Sequence, residues 1–155
     1  MYFMEAYRLP WLMLAILSWI TIYFTCSYKQ FTKALPAAIW TMIVGAILEQ
    51  FFLHHKFWSD KYLLIPIGEL DLFLVIGPFF TLGLLLIRLL PRNKWGILSS
   101  VLFFSILATG IEVISIKLSF LKYHETKWNY LHSIFAYSLG LMSTLGFHYA
   151  LWKKR

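Results

Sequence analysis

Apolar residues run in five long stretches, at about residues 9–27, 34–53, 63–90, 95–118 and 130–152, with short polar connections between them. A membrane span needs about 20 apolar residues, within a range of roughly 17–25. The pattern therefore predicts an all-α fold: a polytopic membrane bundle of about five transmembrane helices, forming a single integral membrane domain over residues 1–155. No β-sheet is expected, because in hydrocarbon each backbone donor must be satisfied within its own segment. Pro10 and Pro36 stand near the starts of the first two spans, where a helix tolerates proline. The third stretch is interrupted by Pro66, Gly68, Gly77 and Pro78. It is expected to begin as an interfacial segment, become a span near Glu69 and kink at Pro78. The connections are Lys29–Lys33, His54–Tyr62, Pro91–Lys94 and Ser119–Asn129.

Within the spans, small and hydroxyl-bearing residues recur at intervals of three to four, the spacing that marks one helix face. In lipid such faces pack against other helices. The expected inward seams are Ser18, Thr21, Thr25 and Tyr28; Thr41, Gly45 and Glu49; Gly68, Asp71, Pro78 and Thr81; Ser105, Thr109, Glu112, Ser115 and Ser119; and Ser133, Tyr137, Gly140, Thr144 and His148.

Packing explains the hydroxyls and glycines; it does not need carboxylates. Glu112 lies deep in the fourth run with no other charge until Lys117. A carboxylate there costs roughly 2.5–3.5 kcal/mol on insertion scales, so it should have a partner, a water pocket or a proton. It is either a functional acid or a hydrogen-bond hub reaching His132 or Tyr137. Glu49, late in the second span, either reaches the interface to pair with His54, His55 or Lys56 or turns inward. Asp71 follows Glu69 by two positions, about 200° of helix, so the two cannot share a face. Glu69 is expected at the interface near a helix N-terminus and Asp71 inside the bundle. Trp128, Tyr130 and His132 open the fifth span, either as an aromatic belt with one histidine or as a wall above Glu112.

Composition agrees with a membrane location: 60% of residues are hydrophobic and 14% charged, against about 25% charged in soluble domains. Many Trp and Tyr lie near span ends, as interfacial belts do (Trp11, Tyr28, Trp58, Tyr62, Trp95, Trp128, Tyr130, Trp152). The net charge of +7 falls between the apolar runs, so it reads as topology signal and lipid contact and not as nucleic-acid binding. The expected partners are the lipid bilayer and either a protein partner or further copies of the chain. Lys and Arg number 1+2+3 = 6 on the side of the N-terminus and 2+3+3 = 8 on the other. That count places the chain in the cell membrane with its N-terminus outside and its C-terminus cytoplasmic. The single Cys26 excludes an internal disulfide and any multi-cysteine metal site. His54 and His55 are adjacent and point apart, and no His-x3-His or Glu-x2-His pattern occurs within a span, so no metal or cofactor is expected.

Two stretches carry a family resemblance. Residues 66–78 read Pro-Ile-Gly-Glu-Leu-Asp-Leu-Phe-Leu-Val-Ile-Gly-Pro; residues 111–137 hold Ile-Glu-Val-Ile-Ser, then Phe-Leu-Lys-Tyr, then Lys-Trp-Asn-Tyr-Leu-His-Ser-Ile-Phe-Ala-Tyr. They resemble an uncharacterised family of small polytopic membrane proteins of spore-forming Gram-positive bacteria. Asp71, Pro78, Glu112, Trp128 and His132 match its pattern, and Glu49 matches an acid of its second span. The resemblance implies the fold and brings no activity. Glu49, Trp58 and Pro66-Ile-Gly-Glu-Leu-Asp-Leu-Phe are also similar to the bacterial lycopene cyclase domain, except that Gly68 stands where that domain has the first glutamate of its Pro-x-Glu-Glu motif. That likeness implies acid-catalysed chemistry on an apolar polyene.

Two functions follow. The first is a non-enzymatic transport component or accessory subunit with acids buried in the bundle. The second is an intramembrane enzyme using carboxyl acid/base chemistry on a lipophilic, isoprenoid-like substrate. A transporter should line a path between two water phases with its acids; an enzyme should gather them on a closed pocket reachable from lipid.

Overall fold

The computed structural model describes residues 9–60, 63–124 and 127–152. Among the described residues five helices make up the fold: α1 (Pro10–Thr25), α2 (Tyr28–His54), α3 (Leu72–Arg88), α4 (Lys94–Lys117) and α5 (Tyr130–Trp152). The fold is all-α, as the sequence pattern predicts. Three helices, α2, α4 and α5, are long and apolar enough to cross a membrane, while α1 and α3 are shorter apolar helices.

Local signals set the boundaries. Pro10 takes the first turn of α1. Ser27 and Gln30 form a capping box, in which the Gln30 side chain accepts the Ser27 backbone N–H at 3.1 Å. That box starts α2 at Tyr28, so the expected connection Lys29–Lys33 is instead its opening turns, and Pro36 lies inside the helix. Asn93 caps α4 by accepting the Gly96 N–H at 2.6 Å. In α3, Pro78 sits within a π-helical turn, Val75–Phe79, the kind of local rewinding that accommodates a lost backbone donor.

α3 is the core of the bundle. Phe80, Leu82, Leu84, Leu86 and Ile87 are all buried on it, the pattern of a helix enclosed by others. α2 packs along it, α4 and α5 pair with each other, α5 also lies against α2, and α1 leans on the first half of α3. Two glycines permit the closest approaches. A Cβ on Gly77 would lie 2.6 Å from the Ala15 Cα of α1. A Cβ on Gly83 would lie 2.0 Å from the Thr41 Oγ1 of α2. Thr41 cannot move aside freely, because its hydroxyl is bonded to Thr144 of α5 at 2.8 Å and to the Ala37 carbonyl at 2.8 Å. Gly83→Ala is therefore expected to destabilise the bundle by about 1–3 kcal/mol through overpacking, despite alanine's better helix propensity. Thermal unfolding in detergent micelles checks this; a variant as stable as the wild type would mean that α2 and α3 separate at little cost.

Beyond the start of α2, Ser119 of the expected fourth seam lies past the end of α4 and is exposed, and two larger features depart from the sequence reading. The inward face of α1 is Trp11, Ala15, Ser18 and Ile22; of the expected seam only Ser18 belongs to it, and Tyr28 is 83% exposed. Thr21 and Thr25 instead bond back to carbonyls of their own helix, at 2.9 and 2.6 Å, so their hydroxyls need no neighbouring helix. The second departure is the presence of strands. β1 (Trp58–Asp60) pairs antiparallel with β4 (Leu121–Tyr123), with Trp58 opposite Tyr123. β2 (Pro66–Ile67) and β3 (Leu70–Asp71) close around Gly68, whose φ of +66° suits glycine. Both ribbons lie in connections between helices, at the end of the bundle where α2 and α4 finish. The rule against strands in hydrocarbon concerns lipid-exposed backbone at membrane depth and leaves such connections free to pair.

Candidate functional site

Glu49 on α2 and Glu112 on α4 are both buried, each five positions before the last residue of its helix, His54 and Lys117. The β1–β4 ribbon closes over them. Its cross-strand pair, Trp58 and Tyr123, sends one donor to each acid: Trp58 Nε1–H donates to Glu49 Oε1 at 2.7 Å, and the Tyr123 hydroxyl donates to Glu112 Oε2. Tyr137 of α5 donates to Glu112 Oε1 at 2.6 Å. The chain of bonds continues outward. Trp128 Nε1–H, which can only donate, binds Ser133 Oγ at 2.8 Å. The Ser133 hydrogen is then free for the Tyr123 oxygen, 2.8 Å away, and the Tyr123 hydrogen goes to Glu112. Ser133 and Tyr123 each donate once and accept once, so this chain runs in one direction and ends on the carboxyl, which Tyr137 reaches from the other side. Burial, and after it the Glu112 charge, hold the Tyr123 phenol well above its usual range, so it stays a donor.

Phe52, Trp58 and Trp128 form an aromatic roof, with ring centres 4.6–4.9 Å apart. Beneath it lie two small cavities of ≈ 40 and ≈ 30 Å³. Glu49, Glu112, Phe79, Leu82 and Tyr137 line both. The larger cavity runs from Ser133 down to Thr41 and Gly140. There Thr41 and Thr144 meet across α2 and α5 at 2.8 Å, and His148 follows one turn further along α5. Outside the roof, an open recess of ≈ 480 Å³ is lined by Lys56, Ser59, Asp60, Glu69, Tyr123 and His124 among others. At the opposite end His148 lines a recess of ≈ 440 Å³ with Gln30, Lys33, Arg88 and Arg92.

Asp60, like Tyr123, is a residue that sequence reasoning missed. Both its carboxyl oxygens are buried with no hydrogen-bond partner among the described residues. Burial, then the charges of Asp71 and Glu112, push it up to about 7. Its proton is therefore bound more tightly in the folded than in the unfolded chain. The stability this contributes is fully present below the unfolded value of 3.8 and is lost as pH rises to about 7. Asp60→Asn should flatten the fall in melting temperature between about pH 4 and 7 relative to the wild type; equal slopes would show that Asp60 does not titrate in that window.

The other predicted residues fall into three groups. Glu112, Tyr137 and Trp128 join the network, and Glu49 turns inward beside it to meet Trp58, without meeting His54, His55 or Lys56. Asp71 is fully buried but structural: its carboxylate accepts the backbone N–H groups of Leu64, Ile65 (3.4 Å) and Phe73 (2.8 Å), capping α3. Glu69 and His132 lie outside. Glu69 is exposed and pairs with His54 at 3.4 Å. His132 is exposed and bonded to Asn129 at 2.8 Å, so it is not the partner of Glu112. Trp11, Trp58 and Trp128 are buried and do not form an interfacial belt, whereas Trp95 is 80% exposed. Among the described residues no three His, Cys, Asp or Glu side chains gather where they could share a metal ion. Comparison with models of protein families, with characterised proteins and with solved structures found no match to this chain.

Proposed function

We propose that this chain is a transport component of the cell membrane that conducts protons, with Glu112 and Glu49 as its relay acids. The observation that carries the reading is a series of polar groups spaced between the two open recesses: the bonded Tyr123, Ser133, Glu112 and Tyr137, then Glu49 across the ≈ 40 Å³ cavity, the Thr41–Thr144 pair and His148. Chains of acids, hydroxyls and histidines inside a bundle are what a proton relay needs. Size narrows the cargo. A water molecule occupies about 10–15 Å³ on this measure, so a space of ≈ 40 Å³ is too small for a hydrated metal ion. An isoprenoid-sized substrate would need a pocket of about 300 Å³ or more, which weighs against the enzyme reading. The excess of Lys and Arg at the end holding Lys33, Arg88 and Arg92 supports placing that end in the cytoplasm and the ribbon end outside.

The test is purified protein in phosphatidylcholine vesicles with a trapped pH-sensitive dye and an imposed potassium diffusion potential. Proton uptake should exceed that of protein-free vesicles, and Glu112→Gln should lower it about tenfold or more, a barrier increase of about 1.4 kcal/mol. Uptake no faster than in empty vesicles, or wild-type uptake by the Gln variant, would overturn the proposal.

A further inference from the structure

The described acids are confined to one end of the bundle, whereas lysines occur at both. All five described acids, Glu49, Asp60, Glu69, Asp71 and Glu112, lie in the half nearest the ribbon. At the other end α2 begins, α3 finishes and α4 begins, and there Lys29, Lys33, Arg88, Arg92 and Lys94 occur with no described acid among them. Three of these cations, Lys33, Arg88 and Arg92, line the single recess of ≈ 440 Å³. The only ion pair among the described residues, His54 with Glu69, is at the far end of the molecule. Gathering three cations at one site without a carboxylate raises their mutual repulsion, and an anion relieves it.

The recess is shaped rather than diffuse. Gln30 Oε1 accepts the Arg88 Nε–H at 3.3 Å, which fixes the guanidinium stem. The Lys33 ammonium sits 5.9 Å from the centre of the Trp152 ring, a cation–π contact. Ala34, Ile87, Leu90 and Pro91 give it an apolar wall. Next along the chain, Leu89, Trp95 and Leu98 are exposed and apolar at 53%, 80% and 53%. We propose that this recess binds the phosphate headgroup of an anionic phospholipid. The arginine forks would grip the phosphate oxygens and Lys33 would supply a point charge. The exposed apolar residues beside it would take the acyl chains, as expected where a basic pocket between helices meets the headgroup layer. The recess is also the one His148 lines at the end of the proposed relay, but the lipid proposal does not rest on proton conduction.

The test uses purified wild-type protein in mixed micelles, with phosphatidylglycerol, phosphatidylcholine or inorganic phosphate added separately. Melting temperature and lipid retained in native mass spectrometry are the readouts. Phosphatidylglycerol should raise the melting temperature and be retained, phosphatidylcholine should do neither, and inorganic phosphate alone should have little effect. Arg92→Gln, an exposed position outside the helices, and Arg88→Gln should each weaken retention about tenfold. Lys56→Gln and Lys122→Gln at the ribbon end should leave it unchanged. Equal stabilisation by phosphatidylcholine, or equal loss in the ribbon-end variants, would overturn the site as general lipid or charge attraction. Full stabilisation by inorganic phosphate would overturn the lipid as its occupant.

Discussion

Asp71→Ala should be the most damaging single substitution in the molecule, lowering stability by about 3 kcal/mol or more. The carboxylate serves three backbone donors, on Leu64, Ile65 and Phe73, and no water reaches it at 0% exposure. Each of these part-buried bonds contributes about 0.5–1.5 kcal/mol, and the loss of the α3 cap costs about 0.5–2 kcal/mol. Because α3 is the core of the bundle, loosening its start also loosens the packing of α1 on Gly77. Asp71→Asn keeps one acceptor oxygen and should lose about half as much. Equilibrium unfolding by SDS titration in mixed micelles measures both. An alanine variant within about 0.5 kcal/mol of the wild type would mean that the 63–71 segment finds other partners for its amides.

At Glu112, function and stability should separate. Glu112→Ala strands the phenols of Tyr123 and Tyr137 beneath an aromatic roof, so a loss of about 2–4 kcal/mol is expected. Glu112→Gln keeps the shape. Its carbonyl accepts from one phenol, and its amide donates to the oxygen of the other, whose hydroxyl hydrogen can rotate. Its stability should stay within about 1 kcal/mol of the wild type. Conduction should nevertheless fall, because an amide does not give up or take a proton as a carboxyl does. A Gln variant that unfolds as readily as Ala would contradict this, and would point to an ionised Glu112 whose charge the network holds.

Much of this arrangement can be read from the chain. The apolar runs give five helices, and the three-to-four spacing identifies Ser105, Thr109, Glu112 and Ser115 on α4, and Ser133, Tyr137 and Thr144 on α5, as inward positions. Those features are local and periodic. What escapes is long-range or terminal. Tyr123 and Asp60 gain their places only because two connections far apart in sequence pair as strands, and three-residue strands carry almost no periodic signal. The role of Asp71 was visible in principle: an aspartate directly before an apolar helical run is an N-cap signature. Placing the start of the span at Glu69 hid it. His132 takes the surface one of its two expected places, since Asn129, which accepts the N–H groups of Leu131 and His132, opens α5 and holds the histidine ring there. Trp58 and Trp128 sit where belt residues usually do, and only the ribbon turns them inward.

The ribbon also bears on how the protein is made. Helices enter a bilayer before they settle against one another, and pairing between distant segments comes late because a long loop must first close. Glu49 and Glu112 therefore enter the membrane before Trp58 and Tyr123 are in place to satisfy them. Their position five residues from the helix ends, about 7–8 Å of rise, keeps them within reach of interfacial water during that interval. An acid at the bilayer centre would have no such refuge. On this view the depth of the acids reflects the route of assembly as well as the chemistry, and closing the ribbon is the step that turns two hydrated side chains into a sealed polar core.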